Sequence, residues 1–231
     1  MINEDVNFVL DIDGVILDYV SGFMSWMRER QGLQTLVAPD KIERYDLSPY
    51  FHRDGKQITF SEFRERVSQF SLTEEFKHIP AFEGAEEFLQ ELSNSGFKIH
   101  AVTSCGNEVA AKSRKYCLER YVGWQSSWPL HVLPLGASKQ AILSKFPKGR
   151  TFFLDDLHSN IQDARKVGLT AIWHKSAPET VYRDIGEGDV LDETHTGSWI
   201  ELKQKLEDHL ISLTASPDQS FTVGNHSALI G

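Results

Sequence analysis

Five short apolar runs punctuate the chain, near residues 6–11, 97–103, 130–135, 151–155 and 170–173. Most are separated by stretches whose apolar residues recur every third or fourth position. The runs have the length of buried strands and the intervals have helical periodicity, so the alternation predicts an α/β fold on a doubly wound parallel sheet. Ala85, Phe88, Leu89 and Leu92 lie on one helical face, and Gly96 closes that run where a left-handed cap is favoured. Ile161, Ala164 and Val167 form a shorter stripe ending at Gly168, and its amino terminus is expected to turn free amides toward a bound anion. Trp199, Leu202, Leu206, Leu210 and Leu213 mark a closing amphipathic helix. From Thr214 onward the chain is rich in Ser, Thr, Asn and Gly without periodicity, the composition of a tail.

One interval is too long for a simple crossover. Residues 18–80 hold Val20, Phe23, Met24 and Met27 at helical spacing, then a Tyr45 to Phe51 segment, then a second helix-like run from Phe60 to Phe70. An insertion there in a doubly wound sheet sits over the carboxyl ends of the strands. The expected layout is core for residues 1–17, a small helical cap for 18–80, core again for 81–213 and a tail for 214–231.

Composition narrows the partners. The chain has 231 residues, 40% hydrophobic and 25% charged, enough for a substantial core, and its formal net charge is −9. That balance argues against a nucleic-acid polymer or an anionic membrane as partner, since both demand clustered Lys and Arg. No run reaches the length of a membrane span, and the acidic first residues carry no apolar signal core. Cys105 and Cys117 are too few for a disulfide scaffold. A cytoplasmic protein acting on a small molecule is expected.

The candidate chemistry gathers where the apolar runs stop. Residues 8–14 read Phe-Val-Leu-Asp-Ile-Asp-Gly, so Asp11 and Asp13 close the first run just before Gly14. At a carboxyl end the chain turns, and alternate residues can converge on one ligand. The run from Lys98 ends in Thr103 and Ser104, hydroxyls able to donate to a phosphoryl oxygen. Lys139 opens a helix-like run after the third apolar segment, with Lys145 and Lys148 as competitors for a phosphate-binding role. Thr151-Phe-Phe-Leu runs into Asp155 and Asp156, with Asn160 four positions on. Hard carboxylate oxygens of this kind suit Mg2+.

In this order, an aspartate pair, a Thr/Ser, a Lys and a second aspartate pair, the chain resembles the haloacid dehalogenase superfamily. The resemblance implies a Rossmann-like core with a cap inserted after the first strand. It also implies Asp11 as nucleophile, Asp13 as general acid/base, and Thr103 and Lys139 as holders of the phosphoryl group. Gly14 amides would complete the cradle, and Asp11, Asp155, Asp156 and the Asp13 carbonyl would hold Mg2+. The expected activity is Mg2+-dependent hydrolysis of a small phosphomonoester through an aspartyl phosphate. A phosphosugar mutase, another hydrolase of the superfamily, or a non-catalytic phosphate-binding regulatory module are the alternatives. Asp-Ile-Asp-Gly-Val-Ile-Leu-Asp-Tyr, the Tyr45–Phe51 segment and Val-Thr-Ser are similar to the 5'(3')-deoxyribonucleotidase group. That looser resemblance implies a nucleoside monophosphate stacked on cap aromatics, with Trp26, Tyr45 and Phe51 as candidates.

Overall fold

The computed structural model describes residues 6–42, 46–174, 198–204 and 206. Five parallel strands form the central sheet: β1 (Asn7–Leu10), β5 (Lys98–Thr103), β6 (Leu130–Val132), β7 (Thr151–Asp155) and β8 (Thr170–Trp173), in the order β6-β5-β1-β7-β8. Every residue of β1 and β7 is buried, as expected of parallel strands covered on both faces. Leu10 lies opposite both Ala101 and Leu154, so β1 is central and ends level with its two neighbours. The chain builds outward through β5 and β6 on one side of β1, then crosses to β7 and β8 on the other. The carboxyl end of β1 is therefore the topological switch point, where such sheets open a crevice.

Helices cover both faces. Between β1 and β5 lies α3 (Ala85–Asn94), burying the four apolar residues its spacing marks. Its neighbour α4 (Glu108–Val122) follows β5 and is capped by Asn107, whose side chain accepts from the Ala110 amide. On the other face lie α5 (Gln140–Leu143) and α6 (His158–Lys166), and Ile161 and Ala164 of α6 are buried against Val9 and Phe153. Residues 199–204 are helical, with Trp199 packed on Phe88 at 4.9 Å between ring centroids. Leu210, Leu213 and the tail from Thr214 lie outside the described residues. The strand expected over 130–135 stops at Val132, because the chain turns into Pro134, which has no amide to donate.

The segment between β1 and α3 contains α1 (Tyr19–Glu29) and α2 (Phe60–Phe70), started by Asp18 and Thr59, whose side chains accept from the Ser21 and Glu62 amides. It is not purely helical, as the sequence had suggested. A small antiparallel sheet joins β2 (Gln34–Thr35), β3 (Phe51–Arg53) and β4 (Lys56–Gln57). Asp54 and Gly55, both at positive φ, turn β3 into β4, the Asp-Gly turn whose twist matches paired strands. Strands of two or three residues are too short to alternate visibly, and that turn is their one trace in the sequence.

Trp26 and Phe51 are 4% and 0% exposed. Both pack on Phe23, at 6.0 and 5.8 Å between centroids, within a cluster that includes Phe63 and Phe70. They form the core of the insertion and present no face to a base, which removes both as stacking candidates; Tyr45 lies outside the described residues.

Candidate active site

Just past β1 the backbone coils tightly. The Ile12 carbonyl accepts from the amides of Ile16 and Leu17, and the Gly14 amide donates to Leu17. Gly14 has φ +85°, a conformation that costs a residue with a Cβ appreciable strain. A Cβ there would also lie 2.7 Å from the carboxyl carbon of Asp156, so the absent side chain lets the β1 loop meet the β7 loop.

Four of the residues singled out by the sequence converge in that gap. Asp11, Asp155 and Asp156 are buried, and one carboxylate oxygen of each lies within 4.8 Å of the others. Lys139, 2% exposed, places its ammonium 2.8 Å from Asp11 Oδ1 and 2.7 Å from Asp155 Oδ2. Lys148 instead packs its stem near Gly168, and Lys145 acts on His131. Asp155 is saturated: it accepts from Lys139, from the Leu157 amide at the start of α6, and from Asn160 on both oxygens. The amide expected to face an anion at this helix start is thus bound to Asp155. Asp11 Oδ1 also accepts from the Ile12 amide at 2.7 Å. The Asp156 carbonyl accepts from Trp173 Nε1, which fixes the turn.

Two buried carboxylates, Asp11 and Asp155, share the single ammonium of Lys139, with Asp156 beside them. Burial, with the charges of Asp155 and Asp13, pushes Asp11 up to about 7 despite the lowering effect of Lys139. Burial by itself would lower Lys139, but Asp11 and Asp155 outweigh it and hold the ammonium charged. Buried hard oxygens of this kind could hold a divalent cation. With Asp155 occupied by four hydrogen bonds, Asp11 is the better-placed ligand of the two.

Thr103 ends β5 beside β1, and Ser104 Oγ donates to the Ala137 carbonyl at 3.4 Å, tying the β5 loop to the loop that delivers Lys139. Asp13 turns away from the triad toward Arg114 of α4. Arg114 Nε and Nη2 donate to Asp13 Oδ2 at 3.0 and 2.9 Å, and Nη2 lies 2.8 Å from Oδ1. Burial raises the Asp13 carboxyl, against the lowering charge of Arg114. Cys105 and Cys117 are free, and burial pushes both thiols up, as befits packing residues. Arg114 escaped the sequence reading. Its signal was there: it shares a helical face with the buried Ala110, Cys117 and Leu118, a place where a charge needs a partner.

A central β1 with carboxylates past its end, flanked by a hydroxyl strand and a second acidic strand, defines a haloacid dehalogenase-like fold. Solved structures agree. The chain is similar to protein tyrosine kinase A from Mycobacterium tuberculosis (16% identity, TM-score 0.60, covering 88% of this chain and 99% of that one). It is similar to the HAD-hydrolase YfnB from Bacillus subtilis, a structure bound to magnesium (15%, TM-score 0.54, 88% and 99%). It is also similar to CbbY from Rhodobacter sphaeroides, a structure in complex with phosphate (14%, TM-score 0.53, 87% and 96%). No protein-family model and no curated protein matches the sequence. At these identities the likeness establishes the fold, and the reaction has to be argued from the site.

Proposed function

We propose that the protein is a Mg2+-dependent phosphomonoesterase, a hydrolase that works through an aspartyl phosphate on Asp11. The observation that carries this reading is the buried triad of Asp11, Asp155 and Asp156, with the Lys139 ammonium 2.8 Å from Asp11 and 2.7 Å from Asp155. A phosphoryl group brings further negative charge, which a bound cation and a fixed ammonium together would accommodate. Asp11, Asp156 and the Asp13 carbonyl would hold Mg2+, which supplies charge neutralisation between an anionic nucleophile and an anionic ester.

The remaining chemistry belongs to the chain. Lys139 orients Asp11 and holds a phosphoryl oxygen, with the Thr103 hydroxyl and the amides about Gly14 as further donors. A carboxylate oxygen of Asp11 attacks phosphorus in line, and the bond to the ester oxygen breaks as Asp13 gives that oxygen its proton. Water then attacks the aspartyl phosphate, Asp13 takes the water's proton, and inorganic phosphate leaves with Asp11 restored. Asp155, bound to Lys139 and Asn160, positions the lysine.

The substrate we infer is a small phosphorylated metabolite, since the acidic net charge disfavours a nucleic-acid polymer. The free thiols support a reducing, cytoplasmic setting. Asp11→Asn tests the reading directly. Phosphate release from a panel of nucleotides, phosphosugars and p-nitrophenyl phosphate should fall by several orders of magnitude in a protein that melts as the wild type does. Acid-quenched wild-type enzyme should carry a phosphoryl group on Asp11 by mass spectrometry. Near-native turnover in Asp11→Asn, or a phosphoryl group on another residue, overturns the mechanism.

A further inference from the structure

Among the described side chains less than 2% exposed, Arg114 is second in volume only to Trp199, and the proposed chemistry does not use it. It is 1% exposed, and its Nη1 has no hydrogen-bond partner. A core helix rarely carries so large a desolvated charge, and replacing an ion pair by apolar residues of similar volume is often neutral or stabilising. Stability alone therefore does not explain it. Its geometry is specific. The guanidinium lies 3.7 Å from the ring centroid of Phe76 and 5.4 Å from that of Tyr19, both contributed by the segment between β1 and α3. The Cys117 thiol, one turn on, donates to the Phe76 carbonyl at 3.4 Å, so α4 and the Glu75–His78 turn are tied beside the cation.

The two oxygens of Asp13 are not treated alike. Oδ2 receives both aligned hydrogen bonds, from Nε and Nη2. Oδ1 is as close to Nη2, but the contact lacks hydrogen-bond alignment, and Oδ1 has no hydrogen-bond partner while being shielded from solvent. A planar fork resting on the Phe76 ring, with Tyr19 at its side, thus pins one oxygen and leaves the other with its capacity to take or give a proton. Lysine would supply charge without the fork.

We propose that Arg114 is the positioning residue for Asp13: held by Phe76 and Tyr19, it binds Oδ2 and presents Oδ1 for proton exchange with the ester oxygen. The inference rests on the phosphatase reading and assigns a determinant of its first step. Proton donation matters most for a basic leaving group and little for one that departs unaided, so loss of the fork should appear as a dependence on the leaving group.

The test compares kcat/KM of the full chain with Mg2+ on phenyl phosphate and p-nitrophenyl phosphate, esters of nearly one shape whose leaving groups differ in basicity. The ratio kcat/KM reports only steps up to alcohol release, so slow hydrolysis of the aspartyl phosphate does not obscure it. Arg114→Lys should lower the value for phenyl phosphate about 100-fold, the lower end of what a positioned acid contributes, and that for p-nitrophenyl phosphate by less than about 5-fold. Adding it to Asp13→Asn should not widen the gap between the esters further. If Arg114→Lys does not fold, Phe76→Leu, which removes a ring from the guanidinium, should shift the ratio in the same direction by a smaller factor. An equal loss on both esters, or an additive effect in the Asp13→Asn background, overturns the positioning role and leaves the phosphatase reading intact. No Mg2+-dependent hydrolysis of either ester by the wild type overturns the phosphatase reading and the positioning role together.

Discussion

Replacing Lys139 by Met keeps the length of the side chain and removes the ammonium that lies within 2.8 Å of Asp11 and Asp155. Removing one partner of a buried ion pair costs about 3–5 kcal/mol, because the other charge stays buried without compensation. Near neutrality part of that loss is absorbed, since burial already pushes Asp11 up to about 7 and one carboxylate can take a proton. The lower end, about 3 kcal/mol, is therefore expected, and at about 2–4 °C per kcal/mol for a domain of this size the melting temperature should drop by roughly 6–12 °C in chelator. Mg2+ should reverse much of it. The substitution releases two carboxylate oxygens and removes the positive charge beside them, so the variant should bind the ion more tightly than the wild type. An ion present at about 100 times its Kd returns about 2.7 kcal/mol. Thermal unfolding by circular dichroism, with EDTA and then with millimolar Mg2+, measures both effects. A variant as stable as the wild type in EDTA would refute the charge argument, and a Mg2+-induced rise no larger than the wild type's would refute the placement of the ion.

Gly14→Ala places a methyl group against the Asp156 carboxylate at a φ of +85°, and should cost about 1–3 kcal/mol of strain while abolishing the Mg2+-induced rise in melting temperature; a wild-type Mg2+ titration would rule out Asp156 as a ligand. Trp26→Ala should cost about 3–5 kcal/mol as a core truncation and lower turnover of nucleotides and sugar phosphates alike, and a loss confined to nucleotides would restore a base-stacking role. His100 on β5 stacks on His131 and meets Phe146 edge-on, and burial, then His131 and Lys98, lowers its pKa from 6.5 to about 4. The folded state thus refuses a proton that the unfolded chain accepts, so this stability is complete above 6.5 and is lost as pH falls through about 4. His100→Leu should flatten the decline in melting temperature across that window, and an unchanged decline would assign it to other groups.

Much of the core could be read from the chain because its information is local. Parallel strands buried on both faces must be apolar throughout, so β1, β5, β7 and β8 stand out as runs, and α3 and α6 show the period of a helix with one buried face. Asp11, Asp155 and Lys139 were legible for a related reason: each lies just past an apolar run, and parallel strands bring such ends to one edge. Which lysine reaches the carboxylates could not be read, since Lys139, Lys145 and Lys148 share a chemistry and differ only in where the fold places them. The surroundings of Asp155 and Asp156 were also hidden, because Asn160 and the Leu157 amide bind the first and Gly14 lies against the second.

The sequence by itself determined the α/β class, the strand ends that carry the carboxylates and the acidic surface, all properties of spacing and residue type along one dimension. Only the tertiary structure decided that Asp13 faces Arg114, 101 positions away, and that Phe76 and Tyr19 pack on that cation. It likewise turned Trp26 and Phe51 into core. An aromatic residue at helical spacing looks the same whether its ring meets a ligand or another ring, and a buried charge is recognisable only once its partner is brought to it. Those facts arise from contacts between distant segments, whose energies no single stretch of chain encodes.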